Sequence, residues 1–194
     1  EFGMLAEDIV TSARGEIAKK LLCREDEIFF TSCGSESNST AIFGAVKLGR
    51  RNGKHIVTTA IEHPSVLEPI KQLEKDGYEV TYLKPDENGN ISVEELSSAV
   101  RPDTVLVSMM YVNNEVGSIL PVEKIKTALN QKNSKALIHI DCVQAFGKIN
   151  INVSTLGADL LSISAHKIHG IKGAGALYVK KGINLPPFLL GGGQ

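Results

Sequence analysis

The sequence predicts an α/β fold, a mostly parallel sheet flanked by helices, and three observations carry that expectation. Short β-rich runs alternate with helical patterns of about 10 to 15 residues, as in βαβ units. The run TVLVSMMYV (104–112) is apolar along nearly its whole length, as a strand covered on both faces must be. Polar residues able to do chemistry recur just after strand after strand, at the carboxyl ends where open α/β sheets hold their ligands.

The elements follow in chain order. Residues 5–22 place Ile9, Val10, Ala13, Ile17, Ala18 and Leu21 on one helical face. EIFFTS (27–32) is a short strand leading into CGSESNSTAIFGAVKLGR, a helix to about Arg51 for which Ser35 or Ser37 is the expected cap. HIVTTA (55–60) is a strand, and HPSVLEPIKQLEKDG a helix with Pro64 near its first turn and Gly77 at its end. YEVTYL (78–83) is a strand, followed by a turn at Asn88–Gly89. Ser92 and Glu95 are spaced as a capping box for a short helix over 92–100. After the strand at 104–112 come a helix at 121–133 and strands at 136–141, 158–165 and 175–182. The last two lie so close in sequence that they are expected to pair through a looping connection, one of them antiparallel. No internal repeat or low-complexity tract divides the chain, so one domain is expected.

Composition narrows the class of function. Of 194 residues, 42% are hydrophobic and 22% charged, with a net charge of -1, so there is no basic footprint for nucleic acid. No run of 18 apolar residues suggests a membrane span, and the acidic start EFGMLAEDIV is not a signal peptide. Three cysteines, Cys23, Cys33 and Cys142, without a CxxC, suit a reducing compartment, and a cytoplasmic location is expected. Opening on Glu1 with its first methionine at Met4, and stopping on LLGGGQ, the sequence reads as a fragment of a longer chain.

Four stretches carry chemistry. TSCGSES joins a strand to a helix start through a small turn, which either aims backbone N–H groups at a phosphate or simply caps the helix; no Gly-Lys-Ser/Thr makes it a P-loop. HIDCVQ ends a strand on Asp141, a carboxylate suited to a protonated ring nitrogen, a metal or a turn cap, with Gln144 three residues on. EHPS puts His63 at a strand-to-helix turn. SAHKIHG puts Lys167 at the end of a buried strand beside Ser164 and His166. A partly desolvated amine there, near other cationic groups, is expected to have a lowered pKa and to act as an imine-forming nucleophile. A zinc site from His166, His169 and Cys142 lacks paired-ligand spacing. Taken together, a phosphate turn, a carboxylate for a pyridinium, a histidine to lie on a ring and an amine for a carbonyl describe pyridoxal 5'-phosphate.

The stretches SAHKIHGIKGAGALYV, HIDCVQAFGKI, YVNNEVGSILPV, TAIEHPSVLEP and FTSCGSESN resemble, in order and spacing, the NifS/IscS-like cysteine desulfurases, class-V members of the fold-type-I pyridoxal-phosphate enzymes. The resemblance implies that Lys167 carries the cofactor as a Schiff base and that His63 stacks on its ring and assists proton transfer. It implies that Asp141 pairs with the pyridinium nitrogen and that Gln144 and Asn114 contact the phenolate-oxygen side. Gly34, Ser35, Ser164 and His166 match the phosphate-binding group. It further implies a homodimer that takes L-cysteine to alanine and passes the sulfur, as an enzyme persulfide, to an acceptor protein for iron–sulfur or thio-cofactor assembly.

There are departures. Cys33 stands where the family usually has glycine, Ser35 where it has threonine, Ile171 where it has proline and Cys142 where it has alanine. Residues 1–194 are expected to be the cofactor-binding large domain, incomplete, with the small domain and its acceptor-cysteine loop absent. None of the three cysteines matches that acceptor, so the chain alone is expected to be inactive. The alternatives are another class-V aminotransferase or lyase, or a truncated fragment that only binds a partner; an unrelated nucleotide-binding domain would lack its glycine fingerprint or Walker lysine.

Overall fold

The computed structural model describes residues 2–191. Its elements are α1 (Phe2–Leu21), β1 (Ile28–Thr31), α2 (Gly34–Gly49), β2 (His55–Thr59), α3 (Pro64–Lys75), β3 (Glu79–Leu83), α4 (Val93–Ala99), β4 (Thr104–Met110), α5 (Ile125–Gln131), β5 (Leu137–Asp141), α6 (Val153–Leu156), β6 (Leu160–Ser164) and β7 (Gly175–Val179). The strands form one sheet in the order β1-β7-β6-β5-β4-β2-β3. Strands β6, β5, β4, β2 and β3 run parallel, joined by crossovers that need the intervening helices. Only β7 is reversed, antiparallel to both β6 and β1, which returns β1 to the common direction.

Every residue of β2, β4, β6 and β7 is buried, because helices cover both faces of the sheet. On one face α2 and α3 lay Ala41, Ile42, Ala45, Val66 and Ile70 against Ile56, Leu106, Leu160 and Leu177. On the other, residues of α1, α4 and α5, among them Ala18, Leu96, Ile125 and Leu129, pack with Val57, Val107, Ile138, Ile140 and Leu161.

Four details depart from the sequence reading. Within α1 only Ala18 and Leu21 are buried, while Ile9 is 70% exposed and Val10 also faces out, because that half of the helix runs past the sheet. Helix α2 starts at Gly34 with Cys33 at the N-cap, not Ser35 or Ser37, since Ser37 turns inward to Thr31 Oγ1 (2.8 Å). The expected box at α4 is half formed: Ser92 accepts the Glu95 N–H, but its own hydroxyl goes to Glu94. The helix expected at 121–133 opens as a 3-10 turn, Val122–Lys124, before α5. The terminal glycine run, at 192–193, lies outside the described residues.

One polar side chain sits deep in the sheet. His139 is fully buried, its Nδ1 2.8 Å from Ser108 Oγ on β4 and its Nε2 3.0 Å from Ser162 Oγ on β6. Burial pushes its pKa down to about 3. An unfolded histidine takes its proton near pH 6.5, so this site contributes stability that is lost as pH falls from 6.5 toward 3. His139→Leu should cost about 1–3 kcal/mol at pH 7 by orphaning the serine hydroxyls. In urea unfolding it should then lose less stability than wild type between pH 6.5 and pH 4; parallel acid limbs would contradict the assignment.

Candidate active site

Because β1, β2, β4, β5 and β6 point the same way, their carboxyl ends border one cavity of about 330 Å³, within the range of small-molecule sites. Its wall includes Cys33, Gly34 and Ser35 from the turn after β1, His63 and Ser65 from the start of α3, and Asn114 from the loop after β4. Asp141 and Gln144 come from the end of β5, and His166 and Lys167 from the turn after β6. Residues up to 134 positions apart in the chain, Cys33 and Lys167, thus share one wall. Ser164 is buried behind that wall, with its Oγ 2.8 Å from His166 Nδ1.

The turn after β1 is closed by Glu36, whose carboxylate accepts the Ser32 N–H at 2.7 Å. The first bond back into α2 comes from the Ser37 N–H to the Cys33 carbonyl, so the N–H groups of the first turn remain for an anion. Gly34 makes the close approach possible: a Cβ there would stand 3.0 Å from Val143 Cγ2 and 3.4 Å from Ser164 Cβ. Cys33 makes no cap bond as a thiol, yet the Glu36 N–H favours its thiolate and draws its pKa below the ordinary thiol value.

His63 caps α3, its Nδ1 accepting the Ser65 N–H at 3.1 Å, with Pro64 in the first turn where no N–H is needed. Asp141 is 5% exposed. Its Oδ1 accepts the Val143 N–H (2.9 Å) and its Oδ2 accepts Asn38 Nδ2 (2.8 Å). Burial raises the carboxyl pKa, the two donors pull it back, and the nearby His63 adds to that pull. Gln144 Oε1 accepts from Lys148 at 2.8 Å.

Lys167 differs from its expectation. A 3-10 turn, Ala165–Lys167, carries the residue past the sheet edge, where it is exposed rather than partly desolvated. Its amine has no hydrogen bond or ion pair among the described residues. Cys142 is fully buried, and no cluster of metal-ligating side chains exists among the described residues.

The aminotransferase class-V model matches residues 1–194. The chain belongs to the class-V aminotransferase family. A cysteine desulfurase of Trichormus variabilis is 46% identical over 193 residues, covering all of this chain and 48% of that protein. A solved NifS-like protein superposes with a TM-score of 0.94 at 42% identity, covering 100% of this chain and 53% of the other. A structure titled SspA in complex with cysteine gives 0.91 at 40% identity, with coverages of 99% and 55%. The chain thus spans about half the length of the relatives it matches, and its mostly parallel seven-stranded sheet is that of the fold-type-I enzymes.

In this class-V aminotransferase chain, sequence reasoning missed three residues behind the cavity wall or on it: Asn38, Ser65 and Glu62. Glu62 is buried after β2, and its Oε1 accepts both the Thr59 hydroxyl (2.7 Å) and the Met110 N–H (2.9 Å). Its Oε2 has no partner among the described residues. Burial pushes its pKa to about 8, against the pull of those two donors. The fold therefore keeps a proton that an unfolded glutamate releases near pH 4.5, and the resulting stability is lost as pH rises from 4.5 to 8. Glu62→Gln should cost about 1–3 kcal/mol at pH 5. That deficit should shrink by pH 8.5 in denaturant titrations of the full chain; a deficit that stays constant would remove the proton from Glu62.

Proposed function

We propose that residues 1–194 form the pyridoxal-phosphate-binding large domain of a cysteine desulfurase, which takes L-cysteine to L-alanine and passes the sulfur on. The observation that carries this reading is the single cavity holding an amine, a buried carboxylate, an imidazole and an uncommitted helix N-terminus. The donor set fits the cofactor. The first turn of α2 with Ser35 and His166 suits a phosphate, and the Gly34 cradle leaves it room that a Cβ would crowd. Asp141 suits a protonated pyridine nitrogen, its two oxygens each retaining capacity to accept. Asn114 and Gln144 are amides for the phenolate-oxygen side, and Ser164 holds His166.

Bound there, the cofactor supplies an electron sink for the bonds of the substrate's Cα. Each residue then has its own task. Lys167 would hold the cofactor at its aldehyde carbon, and its amine, lining the cavity, would serve to move a proton at the substrate's Cα. Asp141 would keep the cofactor's ring nitrogen protonated, offering a fixed positive site to negative charge developing at Cα. His63, which lines the cavity, would pack on the cofactor's ring and assist proton transfer. L-Cysteine as substrate is supported by the desulfurase relatives and by the cysteine named with the SspA structure. The reading includes a homodimer, a sulfur-acceptor protein and a cytoplasmic location; among the described residues no helix is long and apolar enough to cross a membrane.

Borohydride reduction of the intact longer protein that contains this domain, with pyridoxal phosphate, should leave a covalent adduct on Lys167, read by peptide mass spectrometry, and Lys167→Ala should abolish it. Absence of the wild-type adduct would falsify the reading. An adduct without alanine formed from L-cysteine would move it to another class-V aminotransferase or lyase. Asp141→Asn should slow alanine formation by about a hundredfold or more, as expected when a several-kcal/mol electrostatic contribution is removed. A near-wild-type rate would take Asp141 out of the mechanism.

A further inference from the structure

Behind the cavity wall the hydrogen-bond donors run in one direction. Asn38, on the second turn of α2, is fully buried and does not line the cavity. Its Nδ2 lies 2.8 Å from Asp141 Oδ2 and 2.8 Å from Ser65 Oγ. The flipped amide would set its oxygen against a carboxylate oxygen, so the NH2 group must face Asp141, and both its hydrogens are then used. Ser65 Oγ is in turn 2.8 Å from His63 Nδ1. That nitrogen already accepts the Ser65 N–H, so it carries no hydrogen of its own and the serine hydroxyl donates to it. The neutral imidazole therefore holds its proton on Nε2.

The other end of the amide has been left unsatisfied, because Asn38 Oδ1 is buried with no partner among the described residues. An orphaned carbonyl is a standing cost. An amide kept there despite that cost is needed for its two donors.

We propose that Asn38 is a positioning residue for both Asp141 and His63, one NH2 group clamping the carboxylate directly and the imidazole through the Ser65 hydroxyl. The clamp belongs to α2, whose Ala41, Ile42 and Ala45 are locked against the sheet, so neither ring contact depends on a cavity loop. The helix that presents the first-turn N–H groups thereby also sets Asp141 and, through Ser65, His63. The proposal deepens the desulfurase reading and rests on it for the purpose of the clamp, but its geometry belongs to this chain alone.

The test uses the full chain without cofactor, so that its outcome is separate from that of borohydride trapping. Carboxyl carbon NMR follows Asp141, and ring nitrogen NMR follows His63. The charged or titratable neighbours of Asp141 are His63 from α3, Glu62 from the end of β2 and Cys142 beside it, with Lys167 and His166 across the cavity; all are unchanged in the variants. Asn38→Ala removes a donor that favours the ionised carboxyl, so the Asp141 midpoint should rise by about one pH unit. The His63 Nδ1 signal should move in the same direction as it does in Ser65→Ala. Ser65→Ala should move His63 while leaving the Asp141 midpoint in place. A wild-type Asp141 midpoint in Asn38→Ala, or a shifted midpoint with an unmoved His63 signal, overturns the proposal. If Asn38→Ala does not fold, the isosteric Asn38→Asp places two carboxyls at hydrogen-bond distance that must share a proton, and one should titrate far above the ordinary range. Two ordinary titrations there overturn it equally.

Discussion

Asp141 is a carboxylate taken almost entirely out of water, and such a charge is tolerated only where hydrogen-bond donors replace its hydration. Two do so, one from the turn that follows β5 and one from α2. This requirement governs much of the surrounding architecture. Helix α2 must lie close over β4, β5 and β6 to bring Asn38 within reach, and small side chains along its inner face permit that approach. Once α2 is so placed, its first turn opens into the same cavity as Asp141. The anion-competent turn and the buried carboxylate are therefore separated by a distance that the helix itself fixes.

Strand direction supplies the rest. Parallel strands joined by crossovers deliver their carboxyl ends to one edge, so groups remote in sequence arrive side by side without any long loop. The reversal at β7 keeps this arrangement intact, because it closes the sheet against β1 while leaving β1 and β6 pointing alike. Lys167 owes its freedom to the same geometry. The strand that brings it stops at Ser164, and the following turn lifts the amine clear of the sheet.

The strands were legible because β2, β4, β6 and β7 are wholly buried and their apolar runs short, and the helices because Pro64, Ser92 and Gly77 punctuate them. What could not be read depended on partners remote in sequence. The apolar stripe of α1 has helical spacing whether or not anything covers it, so periodicity overstated its burial. Ser37 has the composition of a cap but spends its hydroxyl on Thr31 and the Cys33 carbonyl. Of the site, the residues at strand ends were visible, since position in a βαβ unit places them. Asn38 and Ser65 were not, because each reads as an ordinary polar residue in the first turns of a helix, and only the fold brings Asp141, 103 positions away, into contact with Asn38. Glu62 was hidden by the neighbouring His63, which drew attention as the residue with obvious chemistry.

The histidine stitched between two serines in mid-sheet has a bearing on how reliably the site is assembled. Side chains alternate along a strand, so His139 and Asp141 emerge on the same face of β5. A one-residue slip of β5 against β4 or β6 would turn Asp141 away from Asn38, and it would also strip the imidazole of both hydroxyls. Misalignment therefore incurs its penalty at His139 as well as at the carboxylate, in the dry interior where unpaired polar groups are least tolerated. The buried imidazole acts as a proofreader of strand register, rejecting misfolded pairings in which the cavity would have lost its acid.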